Sequence, residues 1–373
     1  MAHAKMRLWH LRVFRNQPCI QMVHGAIIGI LLVTAFYAYT YNIYEYLMTT
    51  PFSYFRYPLE IDMPAVVNQV LNNGKPSIAP INSLYYPYVL NAESQCKEDG
   101  TEENVHVLFV IKSAIDHFER RDIIRKTWAM ENIVPGYITK RVFLLGVSKD
   151  RDKNLQHRVG LESLRHEDIV QQYFIDSYYN NTVKLMMGFK WAISYCHNAK
   201  FLAFLDDDYY VSPHNLVKLL DKVSVSQMQD TIIGHIWKSS MPFRIRGDKW
   251  YISLKEYPYR YWPPYPTAGS FFLPMETAER LYIAMQYVKM LRFDDVFVGI
   301  AAWKLKVNLV DDHKHISFVR VRYSKEVYRN MIAVHGFDNM LRSYIKFGTS
   351  KKKIDECGTA TGYDRMTVKF DSD

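Results

Sequence analysis

The chain has 373 residues, 49% of them hydrophobic and 15% aromatic, with 28 Tyr and a formal net charge of +9. That apolar fraction supports a sizeable core, so one large catalytic domain plus extras is expected. The basic residues are dispersed, with no nucleic-acid-binding motif at the expected spacing, which argues against a nucleic-acid partner. Anionic substrates or a membrane surface account for the charge equally well. None of the four cysteines pairs at zinc-site spacing.

Lys5, Arg7, Arg12 and Arg15 precede a run from Met22 to Tyr41 that lacks Lys, Arg, Asp and Glu. About 20 such residues span a bilayer. Glu45 is the first charge after the run. The positive-inside rule therefore predicts a cytosolic tail over 1–21, a transmembrane signal-anchor over 22–41 and a lumenal remainder, a single-pass type II arrangement. Phe36, Tyr37, Tyr39 and Tyr41 stand where a cleavable signal would need small residues.

Pro51, Pro58, Pro64, Pro76, Pro80 and Pro87 interrupt any long helix, so residues 42–103 read as a stem or linker, with room to pack in part on the domain. Cys96, Cys196 and Cys357 would face an oxidising lumen, where three thiols allow one bridge and one orphan, and the spacing leaves the pair open. Cys19 falls on the cytosolic side.

The lumenal catalytic domain, 104–373, opens with an apolar strand over Val105–Ile111. A helical segment from Arg120 to Trp128 puts Arg121 and Arg125 on one face, where they could clamp a diphosphate. A second strand covers Arg141–Gly146. Asn180-Asn181-Thr182 is a glycosylation sequon in a lumenal chain. Val183, Met186, Met187 and Trp191 then recur at helical spacing. Strands alternating with helices give an α/β fold with a largely parallel sheet.

The next strand, Phe201–Leu205, stops on Asp206, Asp207 and Asp208. A strand ending in acids delivers them to the carboxyl edge of the sheet, where α/β folds bind ligands. Three adjacent carboxylates call for a positive partner, and a divalent metal with oxygen ligands is a ready one. Ser212 and Pro213 make an N-cap and first turn, followed by Leu216, Leu219, Leu220 and Val223 at helical spacing.

Downstream, Lys249-Trp250-Tyr251 and Tyr261-Trp262-Pro263-Pro264-Tyr265 have the aromatic and proline density of a preformed groove, with Trp250, Tyr251 and Tyr265 as acceptor-binding candidates. Asp294-Asp295 opens a helix-like run through Val296, Phe297, Ile300 and Ala301. One acid suffices to cap a helix, which leaves the other for general-base work. A helix N-terminus favours the charged carboxylate, so burial would have to offset it. His313 and His315 follow and could contact a metal or phosphate.

In order along the chain, Glu119–Trp128, Phe143–Gly146, Phe174–Lys184, Asp206–Asp208, Lys249–Tyr251, Pro263–Tyr265 and Asp294–Gly299 resemble the β1,3-galactosyltransferase family of inverting Golgi glycosyltransferases. Leu205–Ser212, Trp262–Gly269 and Arg292–Val296 resemble its Brainiac-like branch, with Asp294 where the family usually has Glu, and Thr267–Ser270 where it has a glycine-rich turn. The resemblance implies a GT-A-like fold in a Golgi membrane protein, a UDP-sugar donor and a divalent metal, Mn²⁺ by expectation.

On this reading Asp208 would be the main metal ligand, with His315 as a further one, Asp206 would contact the nucleotide ribose with Asp207 supporting the site, and Asp295 would be the base with Asp294 as second candidate. The implied reaction is β1,3 transfer of GlcNAc, or of galactose or GalNAc, to a glycolipid or glycoprotein glycan. The rival class is a non-catalytic lectin or chaperone on the same fold.

Overall fold

A computed structural model describes residues 21–40, 47–82, 85–98, 100–322 and 324–337. The chain divides into two compact units, one of residues 1–55 with 241–261, the other of 56–240 with 262–373. In the first unit, α1 (Gln21–Thr40) is a 20-residue helix of mean hydropathy 1.8, long and apolar enough to cross a membrane. Within it the Thr34 hydroxyl donates to the Leu31 carbonyl. Beyond α1, Thr50 pairs with the later segment: its N–H donates to Pro258 O at 2.8 Å, and Arg260 N–H donates to Thr50 O at 3.1 Å. Phe55 packs beside Tyr259, ring centroids 5.0 Å apart.

The second unit carries the remaining elements: α2 (Met63–Leu71), β1 (Tyr88–Leu90), the small hairpin of β2 (Lys97–Glu98) and β3 (Thr101–Glu102), then β4 (Val107–Lys112), α3 (Phe118–Lys126), β5 (Thr139–Val147), α4 (Lys153–His166) and β6 (Ile169–Ile175). There follow α5 (Asn181–Tyr195), β7 (Phe201–Asp206), β8 (Tyr209–Val211), α6 (Pro213–Leu220), β9 (Thr231–Trp237) and β10 (Tyr265–Pro274). The last are α7 (Met275–Gln286), α8 (Asp294–Leu305), β11 (Asn308–Asp311), β12 (Ile316–Ser317), α9 (Lys325–Tyr328) and β13 (Ala333–His335).

The large sheet runs β1-β6-β5-β4-β7-β10-β9-β11. Its contiguous centre, β6-β5-β4-β7, is parallel, and β10 turns antiparallel against β7. Every residue of β4 is buried, as a strand covered on both faces requires. Phe189 of α5 stacks on Phe204 of β7, which stacks on Phe271 of β10, so one aromatic column ties helix to sheet. Strands β5 and β6 are laid successively on one side of β4, then the chain returns to place β7 on the other. The β4/β7 junction is thus the topological switch point, where ligands bind in open α/β sheets.

Much of the expected stem is packed into the folded chain. From Arg56 onward it belongs to the second unit. Asp62 caps α2 by accepting from Ala65 N–H, with Pro64 harmlessly in the first turn, and Met63 and Val67 are buried. Asn82 Nδ2 donates to Met285 O and Val288 O at the end of α7, and β1 extends the sheet beside β6. Cys96 and Cys196 form the disulfide, closing a span of 100 residues; a loop of that size is worth about 4.7 kcal/mol by the chain-entropy argument. Cys19 and Cys357 lie outside the described residues.

Candidate active site at the carboxyl edge of the sheet

Lys112 and Asp206 are register partners at the ends of β4 and β7. Lys112 is buried, 4% exposed, and its ammonium reaches Asp206 Oδ1 at 3.0 Å, Asp294 Oδ2 at 2.6 Å and the Ala268 carbonyl at 3.1 Å. All three ammonium protons have acceptors. Burial works against its charge, but Asp206 and Asp294 outweigh burial and lift the lysine above its ordinary value. Asp206 keeps a third of its side chain exposed. Burial pushes its carboxyl up, Lys112 pulls it back, and Asp208 and Asp294 push it up again.

The next two acids diverge. Asp207 turns inward to Ser113 Oγ at 2.7 Å, His117 Nδ1 at 2.8 Å and Arg120 Nη1 at 2.9 Å. Burial alone would raise its carboxyl, yet the bonds from His117, Ser113 and Arg120 hold it below the usual carboxylate range. It fixes the loop after β4, whose Ser113 carbonyl also accepts from Lys184 Nζ, itself paired with Asp176 at 2.7 Å.

Asp208 leads into β8, which pairs antiparallel with β13 so that Tyr209 opposes His335. Gly336 and Phe337 N–H both donate to the Asp208 carbonyl. Asp208 Oδ2 lies 3.3 Å from His335 Nε2, and Asp208 Oδ1 is buried with no hydrogen-bond partner among the described residues. An orphaned carboxylate oxygen beside an imidazole is a donor pair suited to a divalent cation. Among the described residues no cluster of three His, Cys, Asp or Glu stands ready for one. The pair would therefore leave further positions to donor phosphates and water, as small hard cations prefer.

Across Lys112, Asp294 and Asp295 occupy the first turn of α8. Neither acid is the capping residue, which is Phe293, and no side chain caps this helix. Asp294 is buried against Lys112; Asp295 is half-buried and accepts from Val296 N–H at 2.8 Å. Burial, and then the Asp294 charge, push the Asp295 carboxyl up to about 7, outweighing the Val296 N–H. Burial has thus offset the helix dipole, as a general base requires.

Gly299 lets α8 sit against the start of β10, since a Cβ there would meet Tyr265 Cβ at 2.3 Å and Pro264 O at 2.7 Å. Tyr265 receives a bond from Ser240 Oγ at 3.0 Å, and burial followed by the nearby Asp295 charge pushes its hydroxyl up to about 12. Thr267–Ser270 is no turn but an irregular stretch of β10, with a register shift against β9 and Ser270 paired to Leu205.

Other sequence expectations are corrected. Arg121 and Arg125 share a face, but it is the buried one. Arg121 donates to Glu162, Ser113 Oγ and the Ala114 and Ile115 carbonyls. Arg125 forks onto Asp168 at 2.7 and 2.8 Å and reaches Glu162 at 2.7 Å. These donors are engaged inside the protein, so neither arginine clamps a diphosphate. His315 bonds Asp312 at 2.7 Å at the start of β12, beside Ile332. Since β12 runs parallel to β13, His315 is at the wrong end of this small sheet, and His335 is the imidazole beside Asp208.

Trp250 and Tyr251 belong to the first unit, where Trp250 packs on Phe243 at 5.5 Å and Tyr251 bridges Phe243. Asn180 Nδ2 donates to Ile175 O and the Thr182 hydroxyl to Leu291 O, so the fold itself uses both sequon side chains.

Sequence reasoning missed Lys112 and His335. Lys112 had a signal, a single charge ending an otherwise apolar strand. His335 had little, because only the β13–β8 pairing brings it to Asp208.

The acidic triplet at the sheet switch point is thus tied through one lysine to Asp294, which stands beside the raised carboxyl of Asp295. A family model described as galactosyltransferase matches residues 119–313, and the chain belongs to that family. It is 39% identical over 252 residues to the beta-1,3-galactosyltransferase brn of Drosophila melanogaster, covering 66% of this chain and 75% of that protein. It is 32% identical over 292 residues to the human lactosylceramide 1,3-N-acetyl-beta-D-glucosaminyltransferase, covering 77% and 75%. It is 31% identical over 258 residues to mouse beta-1,3-galactosyltransferase 2, covering 69% and 60%. The relatives thus divide between two donor sugars.

Proposed function

We propose that this protein is a UDP-sugar-dependent, inverting β1,3-glycosyltransferase anchored by α1 in the Golgi membrane, with its catalytic domain lumenal. Its first-choice reaction moves GlcNAc onto a glycosphingolipid glycan. The observation that carries the chemistry is the Lys112 bridge, which pins Asp294 as an ion pair and leaves Asp295 with a raised carboxyl beside the acidic triplet.

Asp295 takes the proton of the acceptor hydroxyl as that oxygen bonds to the anomeric carbon. The bond from that carbon to the diphosphate oxygen breaks, its electron pair leaves with UDP, and attack from the opposite face inverts the centre. Asp206, a third exposed at the end of β7, would meet the ribose, and Tyr265 would offer an aromatic face to the acceptor near Asp295. Asp208 and His335 would hold a divalent cation, Mn²⁺ by expectation, which when bound stabilises the negative charge of the leaving diphosphate.

Galactose as donor is the second reading, favoured by the names of the Drosophila and mouse relatives. The glycolipid acceptor draws on the lactosylceramide enzymes. The test is product analysis with a UDP-sugar panel and glycolipid acceptors, with and without Mn²⁺, for the wild type and Asp295→Asn. The variant should bind UDP and fail to turn over. Turnover by Asp295→Asn would remove the base assignment, and glycan binding with no product from any donor would favour the lectin class.

A further inference from the structure

One stretch of the first unit is inside out. Over residues 241–245, Met241, Phe243 and Ile245 are 60%, 49% and 68% exposed, while Pro242 is buried and Arg244 turns inward. The Arg244 guanidinium donates to the carbonyls of Ile252, Tyr257 and Tyr259 at 2.9, 2.7 and 3.0 Å. Those bonds hold the loop in a shape that points its arginine in and its apolar side chains out, the reverse of an ordinary solvated segment. The loop then turns at Gly247, with φ of +92°, and presents Arg246, Lys249 and the half-exposed Trp250. A rigid apolar ridge rimmed by cations marks an interaction surface, and Trp and Lys are the residues that sit at headgroup level.

The chain itself indicates the occupant. The loop's base, Pro258–Arg260, is hydrogen-bonded to Thr50. Thr50 is ten residues past the end of α1 at Thr40, a span of at most about 36 Å even when fully stretched. A surface leashed that closely to a membrane anchor, apolar at its ridge and basic at its rim, has the phospholipid headgroup layer as its nearest partner.

We propose that the 241–250 loop docks on the bilayer that holds α1, with Met241, Phe243 and Ile245 entering the headgroup–acyl boundary and Arg246 and Lys249 meeting lipid phosphates. This rests on reading α1 as a membrane anchor, and assigns Trp250 to the lipid surface rather than to the acceptor. It also gives a lipid-borne acceptor a reason to meet this enzyme.

The experiment uses the full chain with Cys19 and Cys357 replaced by Ser, reconstituted into phosphatidylcholine–phosphatidylserine vesicles containing shallow spin-labelled phosphatidylcholine. An environment-sensitive fluorophore is attached at Ile245→Cys, with Met241→Cys as an independent position. Val225→Cys, 91% exposed in the second unit, is the control. Quenching at 245 and 241 should exceed that at 225 by about threefold or more. Equal quenching at all three positions, with the chain still resistant to carbonate extraction, would overturn the docking and leave the anchor standing. Release by carbonate would overturn both. Protection at 245 that appears without lipid and grows with protein concentration in detergent would overturn it in favour of self-association.

Discussion

Lys112 Nζ and Asp294 Oδ2 lie 2.6 Å apart, joining the end of β4 to the first turn of α8 across 182 residues of sequence. The same ammonium holds Asp206, so one buried charge fixes the spacing between the acidic triplet and the acids of α8. It also separates the roles of two adjacent aspartates. Asp294 is held in an ion pair by Lys112, while burial, and then the Asp294 charge, raise the Asp295 carboxyl.

Lys112→Met should leave two carboxylates without their counter-charge. Breaking a buried pair costs about 3–5 kcal/mol, and urea unfolding should show a loss of that order. Lys112→Met with Asp294→Asn should recover part of it, giving a coupling energy of about 0.5–3 kcal/mol. Strict additivity of the two single changes would mean the contact contributes no specific stability.

The raised Asp295 carboxyl sets a pH dependence. kcat/KM should climb through an acid limb centred near pH 7 as Asp295 loses its proton. Asp295→Asn should lose about 10²–10⁴ in turnover. Stability moves the opposite way. A carboxyl raised on folding contributes stability below its unfolded value near 4, and that contribution is lost as pH rises through about 7. Relative to the wild type, Asp295→Asn should therefore gain stability between those pH values and hold the gain above them. Unfolding curves at several pH values decide this.

His335→Ala and His315→Ala separate the two imidazoles. UDP binding measured by calorimetry should tighten with Mn²⁺ in the wild type and in His315→Ala, and lose that response in His335→Ala and Asp208→Asn. Mn²⁺-responsive binding retained in His335→Ala would remove it from the cation site.

Local pattern made the pieces of the site readable, while their partners were set by contacts distant in sequence. The apolar run Phe201–Leu205 ending in acids and the Ser212 cap on α6 folded as their periodicity indicated. Helical spacing placed Arg121 and Arg125 on one face, but it cannot say whether that face meets solvent or the Glu162 and Asp168 of other elements. Proline density suggested a stem, because the burial of Met63 and Val67 depends on a long-range surface built by α7 and α8. The same limit hid Lys112 and His335, whose acidic partners lie on different strands and helices.

Gly299→Ala tests how tightly α8 is seated. The added methyl would stand 2.3 Å from Tyr265 Cβ and 2.7 Å from Pro264 O, and two of the three atoms it meets are backbone, which has little room to yield. Overpacking of this kind costs about 1–3 kcal/mol. The displaced helix carries Asp295, so kcat should fall while UDP affinity, which the proposed function assigns to the β4/β7 side, stays near wild type. Equal loss of both would indicate that the whole unit has loosened.

Arg125 distinguishes a fold-supporting ion network from a phosphate clamp. Its guanidinium makes a two-pronged contact with Asp168, which is fully buried and also accepts from Arg141 Nε at 3.0 Å, and it lies over the Phe143 ring at 4.7 Å. Arg125→Met would leave Asp168 with Arg141 as its remaining partner, and stability should drop by about 3–5 kcal/mol. Arg125→Lys should also destabilise, because an ammonium cannot reproduce the planar fork. Neither change removes a group that faces the donor, so UDP affinity of the folded fraction should match the wild type. A tenfold or greater loss of UDP affinity in Arg125→Lys, with the unfolding midpoint unmoved, would restore this arginine to the diphosphate site.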